Sequence, residues 1–231
     1  MCSTRLCLAT ILVLISLAPG VLAQSTQIRW EPEFSFTWKP EGRWAYNATF
    51  SGRNIWMEGS EQLAESYNWA HLEARLFATY ELFGGNSIGG GYQYRTTDPF
   101  EAERGYEHRL MQQYAFITYT EARRFGHRIR SEQRIRERGT LQRFRYRLSY
   151  DFPLQGQQLD PGEPYMILSN EVLWSLAREV SELDNRVFVG IGWALSRKRK
   201  IETGLQFRVE AFNTNEPENI FQLITSFFIN R

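Results

Sequence analysis

The run Gln142-Arg143-Phe144-Arg145-Tyr146-Arg147-Leu148-Ser149-Tyr150 alternates charged or polar residues with bulky apolar ones at a period of two. A β-strand sends successive side chains to opposite faces. Only that conformation gathers Arg143, Arg145 and Arg147 on one side and Phe144, Tyr146, Leu148 and Tyr150 on the other. Repeated down a chain, such alternation calls for two environments separated by a single layer of backbone. A transmembrane β-barrel supplies them, because its wall must be apolar against lipid while its lumen tolerates charge.

The chain opens with Arg5 ahead of an apolar run from Leu6 to Leu17, followed by Pro19-Gly20 and the small-residue pattern Val21-Leu22-Ala23. This predicts a secretory signal peptide over residues 1–23, cut after Ala23, and a mature barrel over residues 24–231. The apolar run is short of the roughly 20 residues that cross a bilayer as a helix, which argues against a retained anchor. Cys2 and Cys7 both fall in the leader, so the mature chain is expected to carry no disulfide, thiol nucleophile or thiolate metal site.

The formal net charge of +1 drops to about zero when Arg5 leaves with the leader, so no global field recruits nucleic acid. Charge is patterned locally instead. Arg outnumbers Lys 24 to 3, and eight of the twenty residues from Arg128 to Arg147 are Arg. As an exposed patch this cluster would suggest phosphate or nucleic-acid contacts. As a strand pair, its arginines share one face with Glu132 while Ile129, Ile135, Phe144 and Tyr146 occupy the other. The expectation is a lumen charge network of Arg128, Arg130, Glu132, Arg134, Arg143, Arg145, Arg147 and Glu171, in which guanidinium–carboxylate pairs satisfy polar groups where little water fits. The mean hydropathy of −0.44 looks soluble, but averaging cancels the two faces of a barrel strand.

Eleven alternating runs can be drawn, over residues 28–38, 44–53, 70–82, 88–96, 107–120, 127–137, 141–150, 165–176, 186–195, 201–210 and 219–230. Both faces of the fifth become apolar after Gln113, and the last is so apolar that its phase is open. Tight polar joins near 39–43, 84–87, 123–126 and 197–200 alternate with longer ones near 57–66, 97–106 and 212–218, the rhythm of short periplasmic turns and longer outer loops. The long join at 153–164 and the short one after Arg138 break it. An odd count does not close a single-chain barrel with both termini on the periplasmic side. Either a further strand near residues 24–33 or one run outside the wall is therefore expected. The predicted architecture is all-β, a single closed antiparallel transmembrane β-barrel of about 10–12 strands.

The ordered series Gly91-Tyr92-Gln93-Tyr94-Arg95, Glu107-His108-Arg109-Leu110-Met111-Gln112-Gln113, Arg128-Ile129-Arg130-Ser131-Glu132-Gln133-Arg134, Arg143-Phe144-Arg145-Tyr146-Arg147-Leu148, Asn170-Glu171 and Asn185-Arg186 resembles the bacterial outer-membrane barrel family catalogued as domain of unknown function 2490. The likeness covers nearly the whole mature chain. It implies a barrel in the bacterial outer membrane and brings no established activity or catalytic residues. Such chains often end on an aromatic residue read by the assembly machinery, whereas this one ends Phe227-Phe228-Ile229-Asn230-Arg231.

The residues offer little chemistry. Of the histidines His71, His108 and His127, only His71 falls on a predicted lumen face, two positions from Glu73. A lone His beside a carboxylate is more often a structural pair than a base or metal ligand. No phosphate-loop lysine follows the glycines at 84–85 and 89–91. Outer-membrane hydrolases need a His with a nucleophilic Ser or activated water near a rim, and His71, Glu73 and Ser51 form the least unlikely such trio. No enzyme activity, cofactor or metal is expected.

Three functional readings follow. The first is an integral outer-membrane barrel, structural with a filled lumen or acting as a small passive pore that prefers anions because arginines line it. Its partners would be outer-membrane lipids and the barrel assembly machinery, with oligomeric state open. The second is a soluble or surface lipocalin-like barrel binding an apolar ligand, which requires Trp44, Phe144, Trp193 and Phe207 inside. Eleven runs of bulky residues would overfill so small an interior. The third is a barrel hydrolase.

Overall fold

A computed structural model describes residues 25–231 except 59–62, 121–122, 138, 157 and 179–180. The predicted leader and its two cysteines lie outside the described residues. The alternating segments fold as eleven strands: β1 (Ser25–Trp38), β2 (Trp44–Glu58), β3 (Leu63–Glu81), β4 (Ser87–Thr97), β5 (Gly105–Thr120), β6 (Arg123–Arg136), β7 (Gly139–Pro153), β8 (Pro164–Leu176), β9 (Ser181–Ser196), β10 (Arg199–Glu210) and β11 (Glu218–Asn230). Each is at least as long as the roughly 9–11 residues a tilted strand needs to cross a bilayer.

Sequential strands pair antiparallel, and β1 closes the barrel on β11. The expected extra or excluded strand is absent among the described residues: all eleven runs lie in the wall. An odd up-and-down series leaves its first and last strands pointing the same way, so the closing pair is parallel, from Ser25 opposite Glu218 to Thr37 opposite Asn230. The expectation of a wholly antiparallel barrel is corrected at this one junction. Parallel ladders are slightly weaker per residue. The seam is reinforced where Arg231 donates its backbone N–H to Thr37 at 2.8 Å and accepts from Lys39 at 2.8 Å. Pro32, which lacks an N–H, falls between the Trp30–Asn54 and Glu33–Ser51 pairs of the β1–β2 ladder, a few residues after the register shift at Ile28/Arg29.

Ser25 therefore lies at the end carrying the joins 98–104 and 211–217, and Arg231 at the opposite end with 39–43, 82–86, 154–163 and 197–198. These are called the loop end and the C-terminal end below. The ten-residue β7–β8 join keeps its irregular length because Leu154 bonds Pro164 and Gly162 bonds Ala194 through the backbone, folding it against β9.

Burial follows the period of two. In β8 the even residues Val172 and Trp174 are exposed, while Glu171, Leu173 and Ser175 are buried. The apolar set faces outward around the whole wall, with Phe50 57% and Leu205 66% exposed, and the buried set is mostly polar. The last strand, whose phase the sequence leaves open, turns Ile220, Gln222 and Ser226 inward and Phe221 outward.

Candidate functional site

The inward face carries a nearly continuous circuit of ion pairs. At its centre the Arg145 guanidinium on β7 spans two strands, with Nη1 2.7 Å from Glu132 Oε1 on β6 and Nη2 2.5 Å from Glu171 Oε2 on β8. Glu171 Oε1 accepts a second arginine, Arg128, at 2.9 Å. Arg130 approaches Glu132 at 3.8 Å and lies over the Phe77 ring, 5.3 Å from its centroid, reaching β3 across the interior. Inward phase on three adjacent strands places these groups together, since Arg130, Arg145 and Leu173 occupy one ladder row and Arg128, Arg147 and Glu171 another.

Every residue of the sequence-predicted network faces the lumen, but not all join one cluster. Arg134 turns to Glu107 on β5, at 2.8 Å, where Arg109 and Arg136 also bond the same carboxylate. Arg143 donates to Ser175 Oγ at 2.8 Å and stands 3.9 Å from Asp184 on β9. Among the described residues Arg147 hydrogen-bonds the Ser169 hydroxyl, at 3.0 and 3.3 Å, and no other side chain.

The remainder of the circuit lies on strands where the sequence reading proposed no network. Arg186 links Asp184 and Glu210, Arg208 approaches Glu31 at 3.9 Å, and Glu31 accepts Arg53 at 2.7 Å and Gln222 at 2.6 Å across the closing seam. Arg75 reaches Glu33 at 3.5 Å, and Arg95 bonds Glu73. The signal was available: each residue sits on the polar phase of its own run. What no single run contains is the register that decides which carboxylate each arginine meets.

Glu73 belongs to the trio of His71, Glu73 and Ser51 singled out from the sequence. Its Oε1 faces His71 Nε2 at 3.1 Å as well as Arg95, and its Oε2 accepts Gln93 at 2.7 Å. Ser51 lies opposite Glu73 in the β2–β3 ladder. A carboxylate already engaged by three donors serves better as a counter-ion than as the orienter of a base. Among the described residues no group of three or more His, Cys, Asp or Glu side chains is placed to hold a metal ion.

Between the two ends the interior is packed: Leu173 and Ile220, toward the loop end, are 0% exposed, Glu132 is 1% and Met111 2%, and Arg130 on β6 lies over the Phe77 ring of β3 inside the wall. Open space remains toward the ends. A cavity of about 570 Å³ at the loop end is bordered by Arg143, Asp184, Glu210 and Glu218. Another of about 470 Å³ at the C-terminal end is bordered by Arg128, Arg147, Tyr165 and Lys200. The lipocalin-like arrangement fails on orientation, because Trp44, Phe144 and Trp193 lie exposed on the outer wall and Phe207 packs there against Phe221, with ring centroids 5.0 Å apart.

No helix among the described residues is long and apolar enough to cross a membrane, which says nothing about crossing by strands. No curated protein and no solved structure matches the chain. The family model described as protein of unknown function, DUF2490, matches residues 22–219, and a match of that extent, over a chain that folds as a single closed barrel, makes this protein a member of that family.

Proposed function

We propose that this protein is an integral barrel of the bacterial outer membrane whose lumen is closed by its own side chains, a wall component rather than a conducting pore. The observation that carries the reading is the inversion of an ordinary soluble fold: the buried set is rich in Arg, Glu and Gln, while the exposed set is rich in Phe, Leu, Trp and Tyr. A water-soluble barrel would leave that apolar wall hydrated, far beyond the few hundred Å² that monomers commonly expose in one patch. Aromatic clusters at both ends of the first three strands fit the interfacial girdles of such barrels. Trp44 stands 5.0 Å from Tyr80 and Trp38 5.6 Å from Tyr46 at the C-terminal end, and Trp30 stands 6.2 Å from Trp56 toward the loop end. Lipid would cover the wall and the barrel assembly machinery would insert it.

The filled middle favours the closed version over the anion-preferring pore. A conducting path needs a continuous column of water, and inward side chains with almost no accessible surface, such as Glu132, Met111 and Leu173, weigh against one. Membranes containing the protein are expected to retain it through carbonate and high-salt washes and to release it only in detergent, with gel mobility that changes on heating. In planar bilayers it is expected to carry no steady current. Release without detergent would sink the membrane assignment, and sustained anion-selective current would sink the closed lumen.

A further inference from the structure

The C-terminal cavity holds an arginine, Arg147, that makes no ion pair within 4 Å among the described residues and feels Glu171 and Glu33 only at longer range. Arg128 and Arg147 face each other directly across the β6–β7 ladder, and Glu171 is next in the same row. Both Glu171 oxygens are engaged, one by Arg128 at 2.9 Å and the other by Arg145 at 2.5 Å. Arg147 is left with the Ser169 hydroxyl as its hydrogen-bond partner among the described residues. Like charges directly opposite on paired strands repel. Both arginines border an open space of about 470 Å³.

We propose that this cavity binds a phosphate group, with Arg147 as its principal ligand and Arg128 and Lys200 supporting it. A guanidinium presents two parallel donors that match two phosphate oxygens, and Ser169 in the same wall adds a hydroxyl. The two carboxylates on the rim do not fill this role. Glu202 accepts the Tyr165 hydroxyl at 2.6 Å and lies 3.9 Å from Lys200, while Asp151 is exposed. The space is larger than one phosphate, and Ala115, Ile117 and Ile167 give the rest of it an apolar side. The ligand class is therefore a phosphate monoester with a modest apolar body, free or carried on a lipid. Because the lumen is filled beyond the cavity, the ligand binds in a dead end and is not passed through.

The test is titration of the folded, detergent-solubilised barrel with inorganic phosphate and, separately, with a single-chain lysophosphatidate, followed by calorimetry. Saturable phosphate binding that R147Q weakens at least tenfold, with R147K intermediate, is the expected result; heat-modifiable mobility confirms that each variant is folded. Tighter binding of lysophosphatidate, lost in the same variant, assigns the lipid source. Equal or weaker binding assigns a free anion. Absence of saturable phosphate binding by the folded wild type, or equal binding by folded R147Q, overturns the proposal. It stands apart from the membrane assignment, since a barrel that needs no detergent could still bind phosphate here and one that needs it could fail to.

Discussion

Replacing Arg145 by Leu is expected to lower the unfolding free energy of the barrel by about 3–5 kcal/mol, the usual loss when one member of a buried ion pair is removed and its partners keep their charge. Two carboxylates are stranded at once, because Arg145 joins Glu132 and Glu171 and both are buried. Glu132 suffers most: its other arginine, Arg130, is 3.8 Å away, and its Oε2 already has no hydrogen-bond partner. Tyr146→Leu, one position along, should cost only about 1 kcal/mol, since the outward ring gives up a single hydrogen bond, 2.8 Å from His127 Nδ1, and remains apolar. Denaturant titration of the two variants in the same detergent, followed by tryptophan fluorescence, makes the comparison. Equal losses would mean that neighbouring residues on β7 do not face different media.

Arg145 also shows where sequence reasoning reaches and where it stops. Alternation at a period of two is a local property, so the face of nearly every residue was legible, from Phe144 and Trp174 outside to Arg145 and Glu171 inside. The eleven runs were legible for the same reason, but their number was not: an even barrel was expected, and the count was held only to about 10–12. Closure was not legible either. That β1 and β11 run parallel depends on two segments almost two hundred positions apart, and the parity argument against an odd barrel assumed termini on the same side. Pairing partners were hidden likewise. Arg134 lies four residues from Arg130 and on the same face, yet it meets Glu107 because the β5–β6 register puts Arg109 opposite it and Glu107 one inward position further along β5. Phase is encoded within a strand, whereas register is encoded between strands.

The circuit of charges follows from barrel geometry. Where the interior of the barrel is packed, any polar group turned into it needs hydrogen bonds from neighbouring side chains. Arginine suits this better than lysine, because one planar group can serve two strands on either side, as Arg145 serves β6 and β8, or join a carboxylate of its own strand to one on the next, as Arg186 joins Asp184 to Glu210 on β10. Glu31 performs the complementary task at the seam, where one carboxylate oxygen accepts from β2 and from β11. The weakest junction of the wall, the parallel one, is thus crossed by a charge-assisted bond as well as by the ladder.

Gly204→Val is expected to prevent the barrel from reaching its compact, heat-modifiable form or to destabilise it by more than about 3 kcal/mol, above the usual range for overpacking. Gly204 on β10 lies opposite Gly190 on β9, and the Phe188 ring folds over the pair. A methyl group at 204 would stand 2.5 Å from the Gly190 Cα and 2.5 Å from the Val189 carbonyl oxygen, as well as 2.7 Å from the ring. Two of those three obstacles are backbone, so side-chain rearrangement does not relieve them; the ladder itself must part. Leu205→Val is the matched control, introducing the same branched residue one position away on the exposed outer wall, and it should melt close to wild type. Adding Phe188→Ala to Gly204→Val should rescue little, because it removes only the contact that was free to move. Wild-type melting of Gly204→Val would show that β9 and β10 do not pair in this register, and with that loss the Asp184–Arg186–Glu210 segment of the charge circuit would have to be redrawn.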